Sequence, residues 1–407
     1  MLTYNQTRQH DYFASLYRAQ IIRIPKLLYF LSICNLALGS SAFVLGSIVS
    51  DVARDLQVSA ATAGQAMTAY ALATAVLAPP MLVLLARWPR RWALSTSLAL
   101  VAMGGAVCAL SPSITWVYIG RVLMGVGAVF TPMGAGIAVS SVAPELRGRA
   151  LATAFLGMSL SYVVGIPLGA WIAAHYDWRT AILFFAAFTG LMSILCVFVI
   201  PANLKVPTAS FSGAIALISR SDVLRILGLT LLYFSAIFSV FSYIGPVLNH
   251  LQQLTANELS LTLTLFGVSG VIGTITGGLA SDKFGPRKTL TFQLIGMIVM
   301  MVLLPLSKGA YWPMASILFV WGICGFGMMS PQQIRLANAD MQRAPLLLSL
   351  NTSMLYLGTA LGAIVGGIAS QKVGFENISG VTSLFVVAAF LLLITTPQKG
   401  VASKLPG

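Results

Sequence analysis

The chain has 407 residues, of which 57% are hydrophobic and only 8% charged, with a formal net charge of +14. Soluble domains carry about 25% charged residues, so this composition excludes an ordinary water-soluble enzyme or scaffold. The basic excess does not point to nucleic acid either, because the Lys and Arg residues cluster between long apolar runs, where topology and anionic headgroups account for them.

Residues 1–26 are polar, with Arg8, Arg18, Arg23 and Lys26, while Tyr12, Phe13, Leu16, Tyr17 and Ile21 recur at helical spacing. This N-tail is expected as a short helix lying on the membrane. Leu27–Ile48 is then uncharged throughout, and about 20 such residues cross the hydrocarbon core. It is longer than a signal-peptide core and no small-x-small site closes it cleanly, so it reads as span 1. Spans 2 to 6 follow at 62–86, 93–110, 115–139, 150–174 and 178–200. The stretch 201–222, with Pro201, Asn203, Lys205, Pro207, Ser210, Ser212 and Ser219, reads as a polar linker. Spans 7 to 12 occupy 223–248, 258–280, 289–306, 311–334, 346–370 and 378–396, leaving a C-tail at 397–407. In hydrocarbon every backbone amide must be bonded within its own segment, so these spans are α-helices.

Most Lys and Arg residues fall in the tails and the even-numbered gaps. Arg54, Arg179, Lys308 and Lys372 fall in odd-numbered gaps, and Arg121 lies inside span 4. This bias places both termini in the cytoplasm. The halves also repeat. Arg87-Trp-Pro-Arg-Arg after span 2 matches Lys283-Phe-Gly-Pro-Arg-Lys after span 8, and Trp116 and Trp312 open spans 4 and 10 at the same spacing. Gly165 and Gly169 in span 5 match Gly362 and Gly366 in span 11. The expected fold class is therefore an all-α membrane protein of twelve transmembrane helices in two pseudo-symmetric six-helix bundles, 27–200 and 223–396. Internal repeats of this kind mark transporters, with the substrate site near the midplane between halves.

The chemistry-bearing residues are sparse. Cys34, Cys108, Cys196 and Cys324 lie inside spans without metal-ligand spacing and read as small apolar fillers. No His/Cys/Asp/Glu group converges and no phosphate-binding loop is present, which argues against an enzyme or a primary pump and implies no metal or cofactor.

Three motifs stand out. Gly278-Leu-Ala-Ser-Asp282-Lys283-Phe-Gly285-Pro-Arg287-Lys288 joins spans 8 and 9, combining glycines for a tight reversal, an acid for a helix start and cations for helix-end carbonyls. In its N-half copy Ala86 stands in place of the acid and Pro89 in place of the second glycine. Gly120-Arg121-Val-Leu-Met-Gly125-Val-Gly127 places a guanidinium inside span 4, expensive unless it is bonded or snorkels. Gly157, Tyr162 and Gly165-Ile-Pro167-Leu-Gly169 give span 5 small residues for close packing and a proline kink. These motifs resemble those of the major facilitator superfamily. With Phe241-Ser-Tyr243-Ile-Gly245-Pro246, Asp177-Trp178-Arg179, and Ala344-Pro345 through Asn351, Ser353, Gly358, Gly362, Gly366 and Gly367, they are similar to its arabinose-efflux-permease-like branch of drug:proton antiporters.

The resemblance implies a monomer of the bacterial inner membrane that exports a small organic solute (drug, sugar or nucleoside) by alternating access, driven by protons. The rival reading is a proton-independent facilitator or importer. The resemblance assigns gating and coupling to Arg121, Gly165, Pro167, Gly169, Gly278, Asp282 and Arg287. Its pocket, lined mainly by spans 1, 4, 7 and 10, implicates Asn35, Gln65, Tyr70, Tyr162, Tyr233, Phe238, Trp321, Gln332, Gln333, Asn351 and Tyr356 in substrate binding. For the buried amides, hydrogen bonding between helices is an equal alternative. An uncharged aromatic and amide lining favours neutral or weakly cationic amphipathic solutes. One departure concerns coupling. Related proteins often carry an acid in span 1, where this chain has Gly39-Ser40-Ser41-Ala42-Phe43, and none of its ten acids lies at mid-span. Asp51, at the end of span 1, is then the nearest candidate anion for Arg121, and coupling is expected to be weak or absent.

Overall fold

The structure, a computed structural model, describes residues 26–85, 87–142, 146–201, 217, 219–340 and 343–396. The N-tail at 1–25, Ala86, most of the linker and the C-tail lie outside the described residues.

Among the described residues twelve helices are long and apolar enough to cross a membrane. They are α1 (Lys26–Asp55), α2 (Ala60–Leu85), α3 (Arg90–Ala109), α4 (Ile114–Ser140), α5 (Arg149–His175) and α6 (Trp178–Val199) in the first half. The second half holds α7 (Ser221–Phe241), α8 (Ala256–Phe284), α9 (Pro286–Ser307), α10 (Tyr311–Ala339), α11 (Leu346–Val373) and α12 (Phe375–Thr395). Their ends obey local chemistry. The Asp177 carboxylate accepts the Thr180 amide at 2.6 Å to start α6, and Thr255 with Glu258 forms a capping box that starts α8. Gly285, at φ 84°, and Gly374, at φ 81°, stop α8 and α11 in the left-handed conformation that glycine adopts without strain.

The helices expected to line the pocket are interrupted. The run breaks at Val44 in α1, at Ala128–Val129 in α4 and at Met328 in α10, while α7 gives way at Ser242–Tyr243 to a short continuation, Ile244–Leu251. α5 passes through a π-helical turn at Ser161–Gly165. Proline explains most of these. A proline withholds the amide that would bond the carbonyl four residues earlier. Pro132, Pro246, Pro331 and Pro167 therefore deny the carbonyls of Ala128, Ser242, Gly327 and Val163 their usual helical donor, each at or beside its break. No proline accounts for Val44 in α1.

The two halves are joined on the membrane face opposite the linker, called the far side below. There the backbone of α1 at Gly46 and Ser47 lies directly against that of α7 at Phe241 and Gly245. Ser260 of α8 donates to the Pro167 carbonyl of α5 at 3.2 Å, and α2 runs against α11. Toward the linker side, the ends of α4 and α10 pack on helices of their own halves. The interface is thus concentrated at the midplane and far side.

Candidate functional site

Arg121 lies in the first part of α4 and is almost wholly buried. Its guanidinium donates to the carbonyls of Ser41 at 3.2 Å and Ala42 at 2.6 Å, and to that of Ala66 at 3.4 Å. It also lies over the Tyr70 ring, 5.0 Å from the centroid. This accounts for the α1 break: the carbonyls just ahead of Val44 take their donors from an arginine in α4. Among the described residues no ion pair involves Arg121. Asp51, the expected partner, is instead paired with Arg54 at 2.7 Å. A neighbour one helical turn away outcompetes a guanidinium already committed to α1 carbonyls.

The other carboxylates are equally peripheral. Asp55 pairs with Arg179 and accepts from the Trp178 indole, while Asp222 and Asp340 share Arg220. Glu376 pairs with Lys308, and Asp282 is exposed at the end of α8. Nearby, Arg287 donates to the Ile394 carbonyl at 2.8 Å, tying the α8–α9 turn to α12. Gly278 has open space around it, its nearest contact being the Ser330 hydroxyl at 3.7 Å from an added Cβ.

At the midplane an aromatic layer crosses from one half to the other. Phe43 stacks on Tyr162 at 5.2 Å and meets Phe238 at 5.8 Å. Tyr162 meets Phe326 at 5.0 Å, and Tyr70 meets Tyr356 at 6.3 Å. Phe266 of α8 continues the layer to Phe241 and to Trp321, at 5.8 and 5.2 Å. Five sequence candidates, Tyr70, Tyr162, Phe238, Trp321 and Tyr356, therefore assemble here. Phe43, Phe266 and Phe326 were missed. Phe43 had a weaker signal, an aromatic mid-span in a pocket-lining helix.

Among the described residues, Tyr233, 1% exposed, and Trp321, 3% exposed, find no hydrogen-bond partner for the phenol hydroxyl and the indole N–H. The Tyr233 hydroxyl points at Gly325, one helical turn from Trp321.

The buried amides Asn35, Gln332 and Asn351 make hydrogen bonds between helices, the alternative that the sequence left open. Asn35 of α1 donates to the Ala154 carbonyl of α5 at 2.9 Å and accepts from Thr131 of α4 at 3.4 Å. In the second half Thr230 of α7 donates to Asn351 of α11 at 2.6 Å, and Gln332 of α10 donates to Thr230 at 2.8 Å. The same three helices of each repeat are laced at the same level, so Asn35, Asn351 and Gln332 hold each half together. Gln333 is exposed, on the arc of α10 between Gln332, which faces α7, and Ser330, which faces α8.

Gln65 belongs to the far-side seal. Its amide donates to the Tyr243 hydroxyl at 3.0 Å and to the Ala363 carbonyl at 3.2 Å, and Tyr243 donates to that carbonyl at 2.9 Å. Gly64 and Gly367 flank the Tyr243 ring and hydroxyl so closely that a Cβ at either would overlap them. Gly165 and Gly169 let α5 approach α1 at Ser40 and Val44 in the same way.

This architecture, two six-helix halves closed at one face around an aromatic midplane, defines a polytopic membrane transporter. The sequence profile of the Major Facilitator Superfamily matches residues 31–345, and the chain belongs to that family. It is 28% identical to "Uncharacterized MFS-type transporter YbcL" of Bacillus subtilis, over 93% of this chain and 97% of that protein. It is 28% identical to "Inner membrane transport protein YdhP" of Escherichia coli K12, over 91% and 95% of the two chains. With the "Probable sugar efflux transporter" of Pasteurella multocida it shares 24% identity, over 90% and 91%. Among solved structures it matches a bacterial homolog to the human lysosomal transporter Spinster, in an inward-facing and unoccupied conformation. That match has a TM-score of 0.79 at 15% identity, covering 93% of this chain and 97% of the other.

Proposed function

We propose that this transporter exports a small, uncharged, sugar-like solute by alternating access across the bacterial inner membrane, as a monomer with the linker face and both termini in the cytoplasm. The orientation rests on the Lys and Arg bias. The solute class rests on the carboxylate-free aromatic midplane and on the efflux names of relatives such as the Pasteurella protein. The contacts carry distinct roles: each half is internally braced by its amide network, while the far-side contacts between the halves part and re-form.

The observation that carries the reading is the aromatic layer built from both halves. A site that closes when two rigid bundles meet, and opens when they separate, is what alternating access requires. Coupling is the second question. Proton antiport ordinarily uses a buried carboxylate whose protonation competes with loading. Here Arg121 is spent on α1 carbonyls and Asp51 is held by Arg54 at the membrane edge. We therefore favour the proton-independent facilitator as the coupling mode.

Counterflow of labelled methyl glucoside in proteoliposomes, with and without a pH gradient, tests both parts. Exchange that is little changed by the gradient, in wild type and in Asp51→Asn alike, is the expected result. Strong gradient-driven accumulation that Asp51→Asn abolishes would restore Asp51 as the coupling group. Absence of any exchange of this or other sugar glycosides would remove the sugar-like assignment.

A further inference from the structure

The midplane is unusual in its charge balance. It holds one guanidinium, that of Arg121, bonded to carbonyls and resting on the Tyr70 ring, and every described carboxylate lies at a helix end. Backbone carbonyls orient a guanidinium but do not cancel its net charge. Tyr70 sits in the aromatic layer, between Phe43 and Tyr356. Beyond the 5.0 Å from the guanidinium to the ring, a ligand in van der Waals contact lies roughly 8 Å away.

Across the layer, the second half offers two donors. The Tyr233 hydroxyl and the Trp321 indole N–H are both buried and both unpartnered. An orphaned buried donor is destabilising, and native proteins keep few of them. These two lie on facing surfaces of α7 and α10, and Trp321 contacts Phe266 of the layer itself.

We propose that Tyr233 and Trp321 are the donor anchors for an acceptor-rich neutral solute, and that Arg121 sets charge selectivity by rejecting organic cations. The proposal rests on the transport reading above and narrows the solute class expected from the sequence, which had admitted weak cations. At roughly 8 Å and an effective dielectric of about 20, a cationic ligand is disfavoured roughly thirtyfold against a neutral one of the same shape.

Two probes of matched shape test this: p-nitrophenyl β-glucoside and its 2-amino-2-deoxy analogue, which carries an ammonium at pH 6. Binding is measured calorimetrically on purified full-length protein. The glucoside is expected to bind at least about tenfold tighter than the ammonium analogue. Tyr233→Phe and Trp321→Phe, which keep shape and remove one donor each, are expected to weaken the glucoside by about fivefold to tenfold. Two independent substitutions cancel the midplane charge. Ala42→Asp places a carboxylate beside the guanidinium, and Arg121→Gln removes the charge while keeping two donors. In whichever of the two folds, as judged by a single thermal transition near that of wild type, the gap between probes is expected to close to within about threefold.

Equal binding of the two probes by wild type would overturn the charge selectivity. Unchanged glucoside affinity in both Phe variants would overturn the anchors, and so would a glucoside that does not bind wild type at millimolar concentration. Transport is scored separately in proteoliposomes. Selective binding without exchange would count against alternating access and leave this inference standing, whereas exchange of the ammonium analogue at the glucoside's rate would do the reverse.

Discussion

Gly267→Val is expected to reduce transport at least about tenfold while leaving a folded, membrane-inserted protein. Gly267 lies on α8 where it crosses the π-helical turn of α5, and an added Cβ would overlap the Tyr162 carbonyl and come within 2.6 Å of the Val163 Cα. Those are backbone atoms, which cannot rotate aside as a side-chain end can. Overpacking a close contact costs typically about 1–3 kcal/mol, or about tenfold to a hundredfold in a two-state equilibrium. The contact joins the two halves at the midplane, so the strain falls on the arrangement sealed at the far side and is relieved when the halves separate there. The predicted readout is faster reaction of a bulky maleimide with a cysteine placed at Ser47, which is 5% exposed in the sealed interface. Gly278→Ala is the control, because the space around it is open, and it is expected to behave as wild type. Wild-type reactivity at position 47 in Gly267→Val would show that this crossing does not hold the seal.

Tyr243 should give a graded result. Its hydroxyl gathers Gln65, the Ala363 carbonyl and, at 3.3 Å, the Ala61 carbonyl, so α2, α7 and α11 meet at one oxygen. Its ring is completely buried and tilts against Phe375 at 5.9 Å. Tyr243→Phe removes only the polar part, worth about 1 kcal/mol, and is expected to open the far side about fivefold more often. Tyr243→Ala also removes the ring. Losing a large buried aromatic costs about 3–5 kcal/mol, which is expected to leave the far side predominantly open and transport largely lost. Equal labelling of the Ser47→Cys background in all three proteins would mean that the seal depends on other contacts.

The twelve helices and the two-fold repeat were legible because hydropathy and the positive-inside bias act on whole segments and tolerate errors in any one residue. The breaks in α1, α4, α7 and α10 were not read, for a local and a remote reason. Proline acts four residues upstream of itself, so Pro132, Pro246 and Pro331 mark the breaks from a distance, a signal used only for Pro167. In α1 the carbonyls ahead of the break take their donors from Arg121, 79 and 80 positions away in sequence, which no local pattern shows. The aromatic candidates assembled because large rings in pocket-lining helices meet wherever the bundles close. The amides divided among helix lacing, the seal and an exposed arc, because the direction of a polar side chain depends on rotation about the helix axis, which packing sets. The Asp51–Arg121 pairing did not form, because a pairing argued from shared depth ignored Arg54, three residues away.

Alternating access requires that two braced halves separate on one face as they approach on the other. Spin-label pairs at Arg54 and Gln253 on the far side, and at Ser140 and Asn338 on the linker side, all exposed, report both faces in proteoliposomes. Two populations are expected for each pair, with the long far-side distance accompanying the short linker-side one, and a shift toward that combination in Gly267→Val. Distances that lengthen or shorten together at both faces, or a far-side distance that stays single and unchanged in Gly267→Val, would contradict it.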